Sequence, residues 1–205
     1  TREKIVAIRD FVVRNIRGAG PGIAELPLSA VTPADRTLAD GYGNTTDRAV
    51  LLHTMLKAAG FNPEFVLVDY GSPAEPLKRF ETQYPTVYTF DSVLVRLQDG
   101  SAPIYLNDTN QYAELGTTPA EGHLALVLAE GQIETISIPP QKKDLREYEF
   151  RLALTAEGHA RIAVTRKNYG DWFGSRHRMF DEMPPEERNR FYQEMVAEIS
   201  QAISW

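Results

Sequence analysis

The stretch from Gly43 to Gly60 constrains the fold most, because it predicts a buried helix with both of its ends marked. Asn44, Thr45 or Thr46 can cap the first turn, and Gly60 supplies a left-handed residue that ends the helix. Apolar side chains recur between these ends at helical spacing and form a broad face, which is typical of a central, buried helix. Its first N–H groups would then face whatever lies beside Thr45, a favourable place to stabilise an anion or to lower the pKa of a thiol.

Three short motifs follow one another along the first half of the chain. Residues 43–52 read Gly-Asn-Thr-Thr-Asp-Arg-Ala-Val-Leu-Leu, residues 90–95 read Phe-Asp-Ser-Val-Leu-Val, and residues 105–109 read Tyr-Leu-Asn-Asp-Thr. Over roughly residues 3–120, their order and spacing resemble the bacterial transglutaminase-like superfamily, whose members carry a catalytic cysteine, histidine and aspartate there. In this chain Thr45, Ser92 and Asn107 stand at those three positions. The motifs that frame the site are kept, and the residues that perform the chemistry are replaced.

The resemblance implies an α+β fold of the papain-like type, with the central helix packed on an antiparallel sheet. Residues 3–17 predict an amphipathic helix that ends at Gly18, and Thr32 and Pro33 predict the start of a short one. The segment 71–89 contains three prolines and no clear period, so we expect a long loop that overhangs the site. Strands are predicted at 64–70, 90–97, 104–106, 124–129 and 133–138. A turn at Asp99-Gly100 would pair the second with the third and bring Ser92 near Asn107.

The last third of the chain predicts a separate, smaller unit. Residues 145–155 and 159–167 alternate apolar and polar side chains around Ala156-Glu157-Gly158, which indicates a β-hairpin. A helical stretch at 170–180 precedes a stronger helix that opens at Pro184-Pro185 and carries Phe191, Met195, Ile199 and Ile203. We therefore expect a transglutaminase-like core at 1–140 and a hairpin-plus-helix extension at 141–205, part of a truncated β-rich domain.

Composition excludes several classes of function. The chain has no cysteine, which removes disulfides, thiolate metal sites and cysteine catalysis. Its net charge of −6 argues against non-specific binding to nucleic acid or to an anionic membrane surface. No run approaches the length of a membrane span, and the opening Thr1-Arg2-Glu3-Lys4 resembles neither a signal peptide nor an initiator methionine, so we expect a processed or excised piece. His123, His159 and His177 lack the spacing of a zinc site, so we expect no metal and no cofactor.

Thr45 invites comparison with hydroxyl nucleophiles at helix N-termini. Such a threonine needs a neighbouring base, and Ser92 stands where the family has its histidine. His53 lies about two turns further along the same helix, about 12 Å away, and is interpreted as a packed or hydrogen-bonded core residue. Asp91 and Asp108 flank the substituted positions, so a shift of one residue would restore a carboxylate at the third position, but neither the cysteine nor the histidine.

A locally basic stretch with aromatic neighbours lies near the end of the chain. It comprises Arg166-Lys167 and Arg176-His177-Arg178, beside Tyr169, Trp172 and Phe173. A solvated face over a small core and a binding patch are both compatible with this pattern, and the acidic net charge favours the first.

The three substitutions predict a catalytically inactive domain that serves as a binding or architectural module. Thr45, Ser92 and Asn107, with Asp91 and Asp108 beside them, would mark its polar cleft. The resemblance implies a larger bacterial protein in an extracytoplasmic setting, in the periplasm or associated with the outer membrane, and a peptide, a glycan or a partner protein domain as ligand. The alternative is a hydrolase or acyl-transferase that uses Thr45 with an unrecognised base, or an enzyme with its active site in the second half.

Overall fold

A computed structural model of the chain describes residues 1–71, 74–86, 88–100 and 102–197. The helices are α1 (Arg2–Asn15), α2 (Ala34–Asp40), α3 (Thr45–Ala58), α4 (Glu75–Gln83), α5 (Asp171–Glu182) and α6 (Pro185–Ala197). The strands are β1 (Arg17–Gly18), β2 (Tyr42–Gly43), β3 (Glu64–Asp69), β4 (Ser92–Asp99), β5 (Ala102–Leu106), β6 (Leu124–Val127), β7 (Gln132–Thr135), β8 (Leu145–Leu154) and β9 (Ala160–Tyr169).

A five-stranded antiparallel sheet forms the centre of the fold. Its strand order is β5-β4-β3-β6-β7, so β3 pairs with β4 on one side and with β6 on the other. The predicted hairpin of β4 and β5 is confirmed, and Gly100 takes the positive φ of 65° that its turn requires. The two later strands join the same sheet at its other edge. The predicted α+β class is therefore confirmed.

Both faces of the sheet are covered by apolar side chains. On one face Leu52 and Leu56 of α3 pack with Val93 and Val95 of β4, and buried residues of α1 and β5 join the same cluster. On the other face Val66 and Val68 of β3 and Leu94 of β4 pack beneath residues of the 120–138 segment. The apolar face of α3 is thus buried at the centre of the domain, as its sequence predicts.

One charged side chain lies inside this second layer. Arg96 of β4 has only 5% of its surface exposed, and its guanidinium contacts three carboxylates. It donates to Glu64 at 2.8 and 2.9 Å, to Glu130 at 2.7 Å and to Glu134 at 3.1 Å. Because all three carboxylates lie at the edge of the core, the buried charge is compensated at hydrogen-bonding distance.

The long loop expected at 71–89 is wrong in part, because the segment contains helix α4. Pro76 lies in the first turn, where its missing N–H breaks no helical bond, and Pro85 follows directly after the residue that ends the helix. Two of the prolines therefore mark the ends of a helix. A smaller correction concerns α2, which begins at Ala34 with Pro33 as its cap, one residue later than expected.

The end of the described chain forms a hairpin and two helices. Strands β8 and β9 pair with each other over ten residues each and form a sheet of their own. Helix α5 joins this hairpin to the first unit: Gly174 lies directly against Ala113, and the His177 ring is 3.1 Å from the carbonyl of Tyr112. These contacts test neither the division at residue 140 nor the idea of a truncated domain, and both stay predictions.

Two further expectations concern the chain's apolar segments. Ile199 and Ile203, which the sequence assigns to the last helix, lie outside the described residues. Among the helices that the structure does describe, none combines the length and the apolar character needed to cross a bilayer.

Candidate functional site

The start of α3 is fixed by a reciprocal pair of hydrogen bonds. The side chain of Asn44 accepts from the N–H of Asp47 at 2.9 Å, and the carboxylate of Asp47 accepts from the N–H of Asn44 at 3.1 Å. The same carboxylate accepts from the N–H of Thr32 at 2.7 Å. Asn44 is therefore the cap among the three that the sequence allows. Thr45, the first residue of the helix, keeps its side chain exposed.

The Asn107 side chain joins the start of α3 to β4. Its amide nitrogen donates to the carbonyl of Thr45 and to the carbonyl of Val93, both at 2.9 Å. Its φ of 94° lies in the left-handed region, which asparagine adopts more readily than most residues with a side chain. The end of β5, the start of β4 and the start of α3 therefore meet, and the Asn107 side chain lies against the backbone of Thr45. Ser92 pairs with Val68, whose side chain lies on the sheet face opposite to α3, so the Ser92 side chain is directed away from the other two.

The hydroxyl groups of Thr45 and Ser92 have no activating partner among the described residues. Within the described ranges, neither the Thr45 hydroxyl nor the Ser92 hydroxyl forms a hydrogen bond. A hydroxyl nucleophile needs a base at hydrogen-bonding distance to remove its proton. The amide of Asn107 is a donor already shared between two carbonyls. In the described part of the chain, neither hydroxyl therefore has a hydrogen-bonded base.

His53 takes no part in this neighbourhood. Its Nε2 is 3.1 Å from the carbonyl of Pro63, and its ring stacks on Phe65 with 4.2 Å between the ring centres. Burial lowers its pKa, so the neutral form predominates near neutral pH. Its interpretation as a packed, hydrogen-bonded histidine is confirmed.

The two flanking aspartates behave differently from each other. Asp91 is exposed, whereas the carboxyl of Asp108 is enclosed and accepts from the hydroxyl of Thr118. Its other oxygen, like the hydroxyl of Tyr70 beside it, has no hydrogen-bond partner among the described residues. Burial raises the pKa of Asp108 to about 6, and the negative charge of Asp171 adds to the rise. Burial raises the pKa of Tyr70 as well.

Asp108 therefore does not replace Asn107 as the third residue of the trio. Asn107 reaches the start of α3, while Asp108, one residue later, is directed at Thr118. Of these two residues, Asn107 is the one that contacts the start of α3. In the described part of the chain no group of acidic, histidine or cysteine side chains is arranged to hold a metal ion.

A cleft of about 730 Å³ opens beside the start of β4. Leu67 and Leu126 of the sheet form its floor, Tyr88 and Phe90 line one wall, and residues 23–27 line the other. A smaller cavity shares three residues of that second wall and reaches Asn44 and Thr46 at the start of α3. Thr45, Ser92 and Asn107 are not among the described residues that line either space.

Sequence reasoning missed most of this cleft. In the sequence Tyr88 is one of several aromatic residues in the segment 71–89, and residues 23–27 lie within a stretch, 18–28, that is punctuated by glycine and proline. These residues come from separate parts of the chain and form a surface only after folding. The available signal was the clustering of Tyr84, Tyr88 and Phe90 immediately before β4.

Comparison with known proteins adds little to this geometry. No protein-family model and no curated protein matches the chain. Among solved structures, a crystal structure of a "putative protease" from Parabacteroides distasonis is similar, with 20% sequence identity and a TM-score of 0.47. The similarity covers 76% of this chain and 31% of that one, so the chain spans less than a third of that protein's length.

Proposed function

We propose that this chain is a catalytically inactive transglutaminase-like domain that acts as a binding or architectural module within a larger bacterial, extracytoplasmic protein. The observation that carries the proposal is the double hydrogen bond of the Asn107 amide to the carbonyls of Thr45 and Val93. In a working member of the family, a side chain at this position orients the base. Here it links three backbone segments, which preserves the shape of the site without its chemistry.

The cleft beside the start of β4 supports a binding role. Its volume of about 730 Å³ falls within the range of sites that hold small molecules or short segments of a larger ligand. Its walls are apolar and aromatic, and Glu25 is the charged residue among them. Such a surface suits an extended peptide with apolar side chains better than a highly hydroxylated glycan. A peptide or a segment of a partner domain is therefore our first choice of ligand.

The competing function is hydrolysis or acyl transfer by Thr45. The exposure of its hydroxyl at the N-terminus of a 14-residue helix favours this alternative, since the helix dipole stabilises a developing negative charge there. The absence of a hydrogen-bonded base among the described residues argues against it.

A direct assay separates the two functions. We expect the purified protein to show no transglutaminase, amidase or peptidase turnover above that of the Thr45→Ala variant, measured with a panel of peptide amides and esters. Thr54→Ala, which alters an exposed threonine of the same helix that bonds its own backbone, serves as the matched control. Turnover that Thr45→Ala abolishes and Thr54→Ala preserves would establish the nucleophile and refute the inactive domain.

A further inference from the structure

The hairpin β8–β9 has two chemically different faces. Cross-strand partners lie on the same face of the sheet, so Tyr148 shares a face with Arg166, and Phe150 shares it with Val164. The opposite face carries charged side chains that pair with one another, among them Glu147 with Lys167. The face with Tyr148 and Phe150 is thus the more apolar of the two, and burial of its side chains would be favourable.

Helices α5 and α6 and this face of the hairpin enclose a groove, here called the aromatic groove. It has a volume of about 630 Å³. The hairpin contributes Tyr148, Phe150 and Val164, and the helices contribute Phe180, Phe191, Tyr192 and Met195. The ring centres of Phe180 and Phe191 are 5.7 Å apart in an edge-to-face arrangement, so the aromatic wall is continuous.

Two arginines, Arg166 and Arg176, line the aromatic groove and form no ion pair among the described residues. Arg151, Arg178 and Arg190 each form an ion pair with a glutamate of their own strand or helix. Among the described residues Arg166 has no ion pair and lies 5.2 Å from the ring centre of Tyr148. Within the described ranges, Arg176 has a single hydrogen bond, to the sulfur of Met179 at 3.4 Å, and no ion pair. In a chain of net charge −6, two cations without a described carboxylate partner in one concave surface indicate a site for an anion.

Asn168 provides an independent indication at the same place. Its Oδ1 is buried and has no hydrogen-bond partner among the described residues, and the residue lines the groove next to Arg166. Buried polar atoms are almost always satisfied, so an unpaired one marks a place where a ligand or a water molecule completes the hydrogen bonds.

We propose that the aromatic groove binds a small amphiphilic anion, a carboxylate with an apolar or aromatic body. Arg166 and Arg176 would bind the carboxylate as planar guanidinium donors, and Asn168 would provide a further polar contact. The aromatic wall would bury the apolar body. The volume of the groove suits a single molecule of this kind. This site is separate from the cleft beside Thr45 and does not depend on the function proposed for that cleft.

The test uses the full chain and dodecanoate below its micelle-forming concentration, with binding measured by isothermal titration calorimetry. We expect one site with micromolar affinity, and a weaker interaction by at least tenfold for dodecanol and for dodecyltrimethylammonium, which have the same chain with a neutral or a cationic head. Arg166→Gln and Arg176→Gln should each weaken dodecanoate binding about tenfold. Arg161→Gln, on the opposite face of the same strand, should leave it unchanged.

A second readout requires no variant and so does not depend on variants that fold. Phenylglyoxal modifies exposed arginines, and mass spectrometry locates the products. Dodecanoate should protect Arg166 and Arg176 from modification and leave Arg161 reactive.

Three results would overturn the proposal. They are equal affinity for the anionic and the cationic amphiphile, binding to anionic vesicles without binding to monomeric dodecanoate, and binding that appears only after residues 198–205 are removed. The second would indicate a membrane contact, and the third would indicate that the chain's own C-terminal residues occupy the groove.

Discussion

Leu52 and Leu152 are the same residue in opposite surroundings, and they represent two regions of this molecule. Leu52, in the middle of α3, has 1% of its surface exposed, whereas Leu152, in the middle of β8, has 62% exposed. Residues 1–138 bury apolar side chains on both faces of a sheet, while every residue of β8 is exposed. The first region is built to hold side chains in fixed positions, and the second displays apolar surface.

The largest expected effect tests this contrast with one substitution at two sites. Leu52→Ala should lower the free energy of unfolding by about 2–5 kcal/mol, because it leaves a cavity between α3 and the sheet. Leu152→Ala should change it by less than about 0.5 kcal/mol, as expected for an exposed side chain. Urea denaturation measures both. Equal losses would mean that the hairpin face is covered in solution and that the contrast between the regions does not exist.

A pH-dependent effect follows from Asp108, which lies between the two regions and faces Tyr70 and Thr118 of the first region and Asp171 of the second. Burial raises its pKa from 3.8 to about 6, so the folded state binds its proton more tightly than the unfolded state does. Its contribution to stability is therefore complete below about pH 4 and is lost as the pH rises through 6. The difference in pKa corresponds to about 3 kcal/mol at most.

Asp108→Asn removes this titration with little change of shape. The free energy of unfolding of the variant should be closest to that of the wild type near pH 4. As the pH rises to 7 it should exceed the wild-type value by up to about 3 kcal/mol, measured by chemical denaturation at each pH. Asp91→Asn, at an exposed site, serves as the control and should show no such trend. A difference between Asp108→Asn and wild type that stays constant from pH 4 to 7 would show that this carboxyl is not buried.

The smallest expected effect asks whether the first region still positions a catalytic site. Thr45→Cys places a thiol at the N-terminus of α3, and adding Ser92→His places an imidazole at the position where the resemblance expects a histidine. The double variant should have a thiol pKa at least one unit lower than the single variant, about 1.4 kcal/mol, because the imidazolium stabilises the thiolate. Rates of alkylation against pH measure the shift.

Two details of the structure shape this experiment. Asn107 is best kept, because an aspartate there would set its carboxylate against the two carbonyls that the amide now binds. Ser175→Cys, on an exposed position of α5, provides a reference thiol in the second region with a pKa near the ordinary value of about 8.5. Identical profiles for the single and double variants, both folded, would mean that residues 45 and 92 do not converge.

Local signals made much of the fold predictable. Asn44 and Gly60 define the ends of α3 through their own backbone geometry, and Asp99-Gly100 defines the turn of the first hairpin. Helix α4 was missed because its prolines read as breakers, although Pro76 lies in a first turn, where proline is tolerated.

The candidate site, like the fold, was predictable from the sequence only in part. The order of the motifs was enough to predict that Asn107 lies near Thr45, but not that Ser92 pairs on the opposite face of the sheet. The double hydrogen bond of the Asn107 amide and the placement of Arg166 and Arg176 in one groove depend on residues far apart in sequence. No local pattern encodes such contacts, so only the folded chain reveals them.

The buried guanidinium of Arg96 has a consequence for how the sheet assembles. Side chains of a strand alternate between faces, so sliding β4 by one residue along β3 would carry Arg96 away from Glu64 and into the layer occupied by Leu52. A charge stranded among apolar side chains costs several kcal/mol, far more than the few contacts that a shifted pairing retains. Arg96 thus disfavours shifted pairings of β3 and β4 during folding. In the native pairing its guanidinium donates to all three glutamates.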